Sequence, residues 1–525
     1  MSSLLEAPSQ PLGRVWRDRL VFLYPPFLFV AVLTFAGQAD DPFITLRYAR
    51  NILNGDGVVF NPGQHVQGFT SFTHLGIAVA ALSLSTSHAL LLLKLSSLLF
   101  AALAVTEGAR LVEGLGLHRW LIRVGLVAIG GCWIIGYAAS NGLETSIAMW
   151  LIAFIARRLT IRGPTEGVWL VAVAGFLVVF TRPESVLLMA AMALGGVVAY
   201  RSTKTVRACL WFVGPVLGAI GSAALSLILF GSLVPNTFAA KDASLSHGIY
   251  HGIGYILAPF APPWLAFAVM MTLGVLAGFG LWTAIRTERR YLILVAVVLA
   301  QVVFILHSAG DWMHGGRFLA PAIVPTIALG VIGINTIDHT QDRSSRPSRR
   351  RAVQWITSAA LITTSLLPAI VAGDPVWKIH GLGNGQLLAA GGYRFSSLWV
   401  TLPTRFDCLA AGTTVASTEI GYLGFERPDL RILDMRGLTD TTIARTAPQT
   451  DKFNGGVVDN GWWRGYDPVG KALLAAHPDV IASIKIAPRR MVLYHEYRLV
   501  RKERFGDAKI AFYARVGTPP PQCIS

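Results

Sequence analysis

Residues 40–72 read DDPFITLRYARNILNGDGVVFNPGQHVQGFTSF and follow closely on the apolar run Leu20–Ala36. That junction decides how the rest of the chain is read. Arg14, Arg17 and Arg19 precede the run, so it enters the bilayer from the cytoplasm. Gly37 and Ala39 stand at a spacing that resembles a signal-peptide cleavage site, but the length of the run and the polar segment after it favour an uncleaved anchor. Asp40 and Asp41 then emerge on the outer side. Adjacent carboxylates raise one another's pKa and invite a proton, a cation or a cationic partner. The plainer alternative for such a pair is a solvated helix end.

Outward from this junction, composition and charge agree with a membrane protein. Of 525 residues 53% are hydrophobic and 14% charged, and the mean hydropathy is +0.54. These values suit a multi-spanning chain and exclude an ordinary soluble domain. The net charge of +16 lies largely in short arginine-rich clusters between apolar runs, at 110–123, 157–162, 201–207, 286–290 and 343–351. Such clusters mark cytoplasmic loops. No basic stretch is interleaved with stacking aromatics, so nucleic acid is not an expected partner.

The clusters also fix parity. Counting Phe72–Leu84 as a span would put Arg110 outside, and the segment falls short of the roughly 20 residues a crossing needs. It is therefore expected as a juxtamembrane helix on the outer surface. Spans at 20–36, 89–111, 121–139, 143–156, 168–181, 185–200, 208–230, 264–285, 291–308, 318–337 and 353–372 then alternate without conflict. The expected fold is a polytopic α-helical membrane protein of about eleven spans. Its parts are a cytoplasmic N-terminus (1–19), a transmembrane domain (20–372) with its first external loop at 38–88, and a C-terminal domain (373–525). In the last part the runs TTVAST, LRILDM, DVIASI, YRLVRKERF and KIAFYARV alternate with polar, glycine-bearing connections, as in a small α/β or α+β domain outside the membrane. Cys132 and Cys209 sit in apolar runs as small core residues, whereas Cys408 and Cys523 are positioned to bridge if their region faces an oxidising compartment.

On this topology the unusual polar residues collect outside. They are Asp40, Asp41 and Asn61, then Glu144 in SNGLETS, Arg182 and Glu184 in TRPES, and Asn236 and Lys241 in GSLVPNTFAAKD. Asp311, His314 and Arg317 follow in AGDWMHGGRF. Plainer roles are available for some: Glu144 favouring a helix dipole, Arg182 with Glu184 as a structural ion pair, Lys241 snorkelling at the interface. Arg317 follows two glycines and carries a planar guanidinium suited to phosphate. Broken, charged helices such as the pair around TRPES are tolerated at membrane depth only where they line a cavity. No H-E-x-x-H, C-x-x-C, Walker or G-x-S-x-G pattern occurs. No cofactor is expected, with a divalent ion bridging Asp40 and Asp41 left as an open alternative. Acids at the membrane exit beside external cations suggest a carboxylate taking the proton of an acceptor hydroxyl while cations stabilise a departing phosphate.

These segments resemble, in order, the membrane-embedded C-type glycosyltransferases that use polyprenyl-phosphate sugars. More narrowly, DDPFITLRYARNILNGDGVVFNPGQHVQGFTSF, NGLETS, TRPES, LVPNTFAAK and GDWMHGGRFLAP resemble the terminal β-(1→2)-arabinofuranosyltransferase family, as does LRILDMRGLTDTTIA in the C-terminal part. The resemblance implies inverting transfer of a sugar, with D-arabinofuranose the expected one, from a polyprenyl-phosphate donor to a hydroxyl of an external cell-envelope glycan. The site would face outward from a bacterial plasma membrane. It implies Asp40 as general base, Asp41 orienting the acceptor or sharing the proton, Arg317 as phosphate ligand with Lys241 and Arg182 assisting, and Glu144, Asn61 and Asn236 shaping the sugar site. Competing readings are a polyprenyl-phosphate mannose or other hexose donor, a transporter or flippase of a lipid-linked saccharide, and a nonenzymatic scaffold.

Overall fold

The computed structural model describes residues 12–37, 39–200, 210–259, 262–311, 313, 315–340, 347–390, 396–449, 452–453, 456–457, 468–484, 493–505 and 508–525. Helix dominates up to Ala372, and among the described residues seven helical segments are long and apolar enough to cross a membrane: Ala89–Gly114, Arg119–Ser140, Leu210–Phe230, Pro263–Arg286, Arg289–His307, Ala320–Ile337 and Ala352–Lys378. The chain is thus a multi-pass membrane protein. Shorter apolar helices accompany them, among them Tyr24–Thr34, Phe72–Leu84, Thr145–Arg157, Val168–Thr181 and Ser185–Ala199. Leu23, Leu126, Ile152, Val178, Val297 and Val324, each from a different helix or helix junction, meet in one continuous core.

Local sequence sets the breaks that matter. Pro183 interrupts what would be one long helix, so Val168–Thr181 ends at an extended Arg182 and Ser185–Ala199 begins after Glu184. The helix Asp41–Asn54 has Pro42 in its first turn, where no amide donor is required. It stops at Gly55 (φ +87°), whose left-handed backbone lets its amide reach Asn51 and Ile52 carbonyls. The following segment Phe72–Leu84 is a helix capped by the Ser71 side chain, which accepts from the His74 amide.

Among the described residues the C-terminal part holds seven strands: β1 (Thr414–Ser417), β2 (Arg431–Asp434), β3 (Lys452–Phe453), β4 (Gly456–Val457), β5 (Val480–Ser483), β6 (Tyr497–Phe505) and β7 (Ala508–Arg515). Five make a mixed sheet in the order β2-β1-β5-β7-β6, parallel across β2, β1 and β5 and antiparallel across β5, β7 and β6. A disulfide joins Cys408 to Cys523 and pins the tail to this domain.

The sheet and the first external loop bury one apolar core together. Phe43, Tyr48, Phe60 and Phe69 pack in the same cluster as Val415, Ile432 and Phe512. Within this contact Arg47, fully buried, donates to the carbonyls of Phe60 (2.6 Å), Gly424 (2.6 Å) and Leu430 (2.8 Å) and to Asn61 Oδ1 (3.2 Å). A guanidinium with several in-plane donors can close such a set without any carboxylate.

Candidate functional site

A cavity of about 540 Å³ opens where the helix breaks converge beneath the C-terminal domain. Asp41, Glu144, Arg182, Glu184, Lys241 and Arg317 all line it. Each stands at or beside a helix end, where the chain turns and a side chain can point inward. Asp41 opens Asp41–Asn54, Glu144 precedes Thr145–Arg157, Arg182 and Glu184 flank Pro183, and Lys241 closes Asn236–Lys241. Arg317 follows Gly315 (φ +108°) and Gly316 (φ +68°). A Cβ on Gly315 would lie 2.8 Å from the Tyr137 ring, so only glycine admits this close turn.

The charges are arranged in layers. Arg317 Nε meets Asp311 Oδ2 at 2.7 Å, with the Asp311 side chain fully buried, while its Nη1 meets Asp41 Oδ2 at a looser 3.4 Å. Arg182 pairs with Glu184 at 2.5 Å and with Glu144 at 3.2 Å. The Phe318 ring brings the cations together, with Arg182, Arg317 and Lys241 at 5.3, 5.3 and 5.9 Å from its centroid. Phe318 is itself held at both backbone groups: its amide donates to Tyr255 Oη (3.0 Å) and its carbonyl accepts from Gln301 (2.6 Å). Burial raises the Asp41 carboxyl above the usual range against the pull of Arg317, and burial together with Arg317 lowers the Lys241 ammonium. Burial opposes the charge on Arg317, but Asp311, Asp41 and Glu144 hold its proton more firmly than usual.

Other residues singled out from the sequence lie elsewhere. Asp40 does not line the cavity: its two carboxylate oxygens accept from the Gly421 amide (2.6 Å) and the Tyr422 amide (2.7 Å) in the C-terminal domain. Burial, reinforced by Glu419, pushes its carboxyl up to about 8 despite those two amides. Asn61 continues the edge of the sheet, accepting from the Ile432 amide (3.0 Å) and donating to the Ile432 carbonyl (2.8 Å). Asn236 Nδ2 braces the loop after β2 by donating to the carbonyls of Gly437 (2.7 Å) and Leu438 (3.1 Å). Asp311 backs Arg317 from outside the lining, and His314 lies outside the described residues.

Sequence reading gave no role to several residues that complete the site. Buried His74 lines the cavity, its Nε2 2.9 Å from the Gly142 carbonyl, and Leu438 brings the C-terminal domain into the wall. An F immediately after GGR was the available signal for Phe318; nothing in the sequence pairs Tyr255 with it. Among the described residues, no group of three or more His, Cys, Asp or Glu side chains is placed to hold a metal ion.

Comparison with known proteins adds two kinds of likeness. A family described only as a domain of unknown function (DUF8728) matches residues 397–516, which include the mixed sheet. Terminal β-(1→2)-arabinofuranosyltransferase from Corynebacterium glutamicum is 27% identical over 363 residues, 59% of this chain and 50% of that protein. The protein of the same name from Mycobacterium tuberculosis is 25% identical over 435 residues, 74% of this chain and 65% of that protein. The matches therefore span between half and two thirds of those relatives' lengths. With its apolar helices and these two relatives, the chain resembles the terminal β-(1→2)-arabinofuranosyltransferases, a family of glycosyltransferases.

Proposed function

We propose that this protein is a membrane glycosyltransferase that moves D-arabinofuranose from a polyprenyl-phosphate donor to a hydroxyl of an external cell-envelope glycan. The observation that carries the reading is the convergence of Arg182, Lys241 and Arg317 on Phe318 in a cavity that also holds Asp41. Three cations, two of them braced by Glu144, Glu184 and Asp311, beside the Asp41 carboxylate suit a reaction in which a hydroxyl loses a proton while a phosphate departs.

Asp41 takes the role of general base. Its free face lines the cavity, its raised pKa gives it basicity closer to neutrality, and its contact with Arg317 is long enough to yield to substrate. Asp40, first in the pair and the base that the resemblance suggests, has both oxygens occupied by backbone amides and serves instead to seat the C-terminal domain. Asp41 removes the acceptor proton, the acceptor oxygen bonds to the anomeric carbon, and the bond from that carbon to the phosphate oxygen breaks. The polyprenyl phosphate leaves with the electron pair, its charge met by Arg317, Lys241 and Arg182. Asp311 keeps Arg317 aimed during this exchange. The scheme uses no metal or cofactor.

The apolar residues Val186, Leu187, Val234 and Phe238 line the cavity and are substantially exposed, which suits lateral access of a lipid-borne donor from the bilayer. In this reading Tyr24–Thr34, Thr145–Arg157, Val168–Thr181 and Ser185–Ala199 bring the total to about eleven crossings, Phe72–Leu84 lies on the outer surface, and the site and C-terminal domain face outward from a bacterial plasma membrane.

The test is transfer by purified protein in nanodiscs, offered radiolabelled polyprenyl-phosphoryl-arabinose or polyprenyl-phosphoryl-mannose with a short oligosaccharide acceptor. Arabinose transfer that disappears in Asp41→Asn supports the proposal. Transfer of mannose alone overturns the sugar. Transfer of neither, with labelled lipid crossing proteoliposome bilayers, overturns the enzyme in favour of a transporter.

A further inference from the structure

Lys94 is fully buried within the first turns of Ala89–Gly114, and its charge has an unusual set of partners. Its ammonium donates to three backbone carbonyls, Phe35 at 2.8 Å, Gly37 at 3.1 Å and Ser140 at 2.7 Å. Phe35 and Gly37 follow the end of Tyr24–Thr34, and Ser140 ends Trp133–Ser140. The last carbonyls of a helix lack intrahelical donors and carry its negative pole, so two helix C-termini meeting at one ammonium satisfy each other through it. All three donor positions of the lysine are used, which a shorter or neutral side chain cannot reproduce.

What lies downstream of those carbonyls gives the arrangement its significance. Gly37 leads within four residues to Asp41, and Ser140 leads within four residues to Glu144. One turn further along the same helix, Ser97 donates to the Leu143 carbonyl at 3.1 Å, again beside Glu144. Ala39 and Leu143 then share a small buried cluster with Met313, which sits between Asp311 and Arg317. Three loops bearing the cavity's charges are therefore fastened at one joint.

We infer that Lys94 is a positioning residue for sugar transfer, setting the separation of Asp41 and Glu144 from a place outside the cavity lining. This rests on the function proposed above. A misplacement of about 1 Å at reacting groups costs on the order of 10²-fold in rate. Lys94→Met removes the ammonium while keeping most of the side-chain volume.

The experiment pairs steady-state kinetics of Lys94→Met with amide hydrogen exchange read by mass spectrometry. The expected result is a fall in kcat of about 10²-fold with the donor KM close to that of the parent protein. Exchange should quicken in segments 34–41 and 139–146 and stay unchanged in the C-terminal sheet. Unchanged exchange in both segments overturns the inference, as does a rise in donor KM with kcat preserved. Lys94→Gln, which keeps part of the donor set, is read in the same way if the methionine variant does not fold. The exchange arm needs no turnover, so failure of the parent protein to transfer sugar would sink the proposed activity while leaving the joint itself under test.

Discussion

In the proposed mechanism two neighbouring acids divide two tasks. Asp41→Asn should lower kcat by about 10²–10⁴-fold, the usual worth of a general base, with donor binding preserved in an equilibrium assay. Because burial raises Asp41, the acidic limb of the kcat–pH profile should lie above the ordinary carboxylate range and vanish in this variant. Asp40→Asn should act on stability, since one carboxylate oxygen that accepts a backbone amide becomes an amide nitrogen; a loss of about 1–3 kcal/mol is expected in denaturant or thermal unfolding. Its pH dependence follows from the folded carboxyl titrating at about 8 against 3.8 when unfolded. Between those values the folded chain holds a proton that the unfolded chain has lost, so stability falls as pH rises and levels off above about 8. Glu419 and Asp434 are raised in the same direction. The diagnostic result is a shallower decline in Asp40→Asn than in the parent protein, and equal slopes would remove Asp40 from the effect. The sequence made the acidic pair visible, but not which oxygen meets which amide, because Gly421 and Tyr422 lie some 380 residues away.

At the scale of elements, the strand runs in the C-terminal part were legible from alternation and bounding turn residues, as was the helix Phe72–Leu84. The break at TRPES was legible because proline leaves so little choice. The roles of Asn61 and Asn236 were not, since an asparagine that substitutes for a strand edge or braces a loop looks, in sequence, like one that awaits a sugar. Asn61→Ala should therefore cost about 1–3 kcal/mol through the unpaired backbone of Ile432, with donor KM little changed. Arg47→Met removes the guanidinium donor from the buried carbonyls of Gly424 and Leu430, while Phe60 keeps only the Asn51 amide. Limited proteolysis should then cut between the first external loop and the sheet domain faster than in the parent protein; an unchanged digestion pattern would deny Arg47 its fastening role.

Across the whole molecule, the membrane character was plain from composition, whereas the union of the first external loop with the C-terminal sheet was hidden by sequence separation. Phe43 and Phe512 occupy one core although each looks, locally, like part of its own domain. The disulfide between Cys408 and Cys523 closes the outer edge of that shared body. Reduction should lower the melting temperature of the C-terminal domain by an amount equivalent to about 2–5 kcal/mol, checked by comparing melts with and without a reductant. The division of labour between Asp40 and Asp41 carries one last consequence, for how this gene can change. Successive residues at a helix start point about 100° apart. Adding one codon between the Lys94-held carbonyls and Asp40 would bring the seating acid to the cavity position, and removing one would bring the cavity acid to the seating position; either way only one of the two places keeps an acid. The length of this junction is therefore as constraining as the identity of its two acids: a change of one residue in the spacer is equivalent to losing one of them.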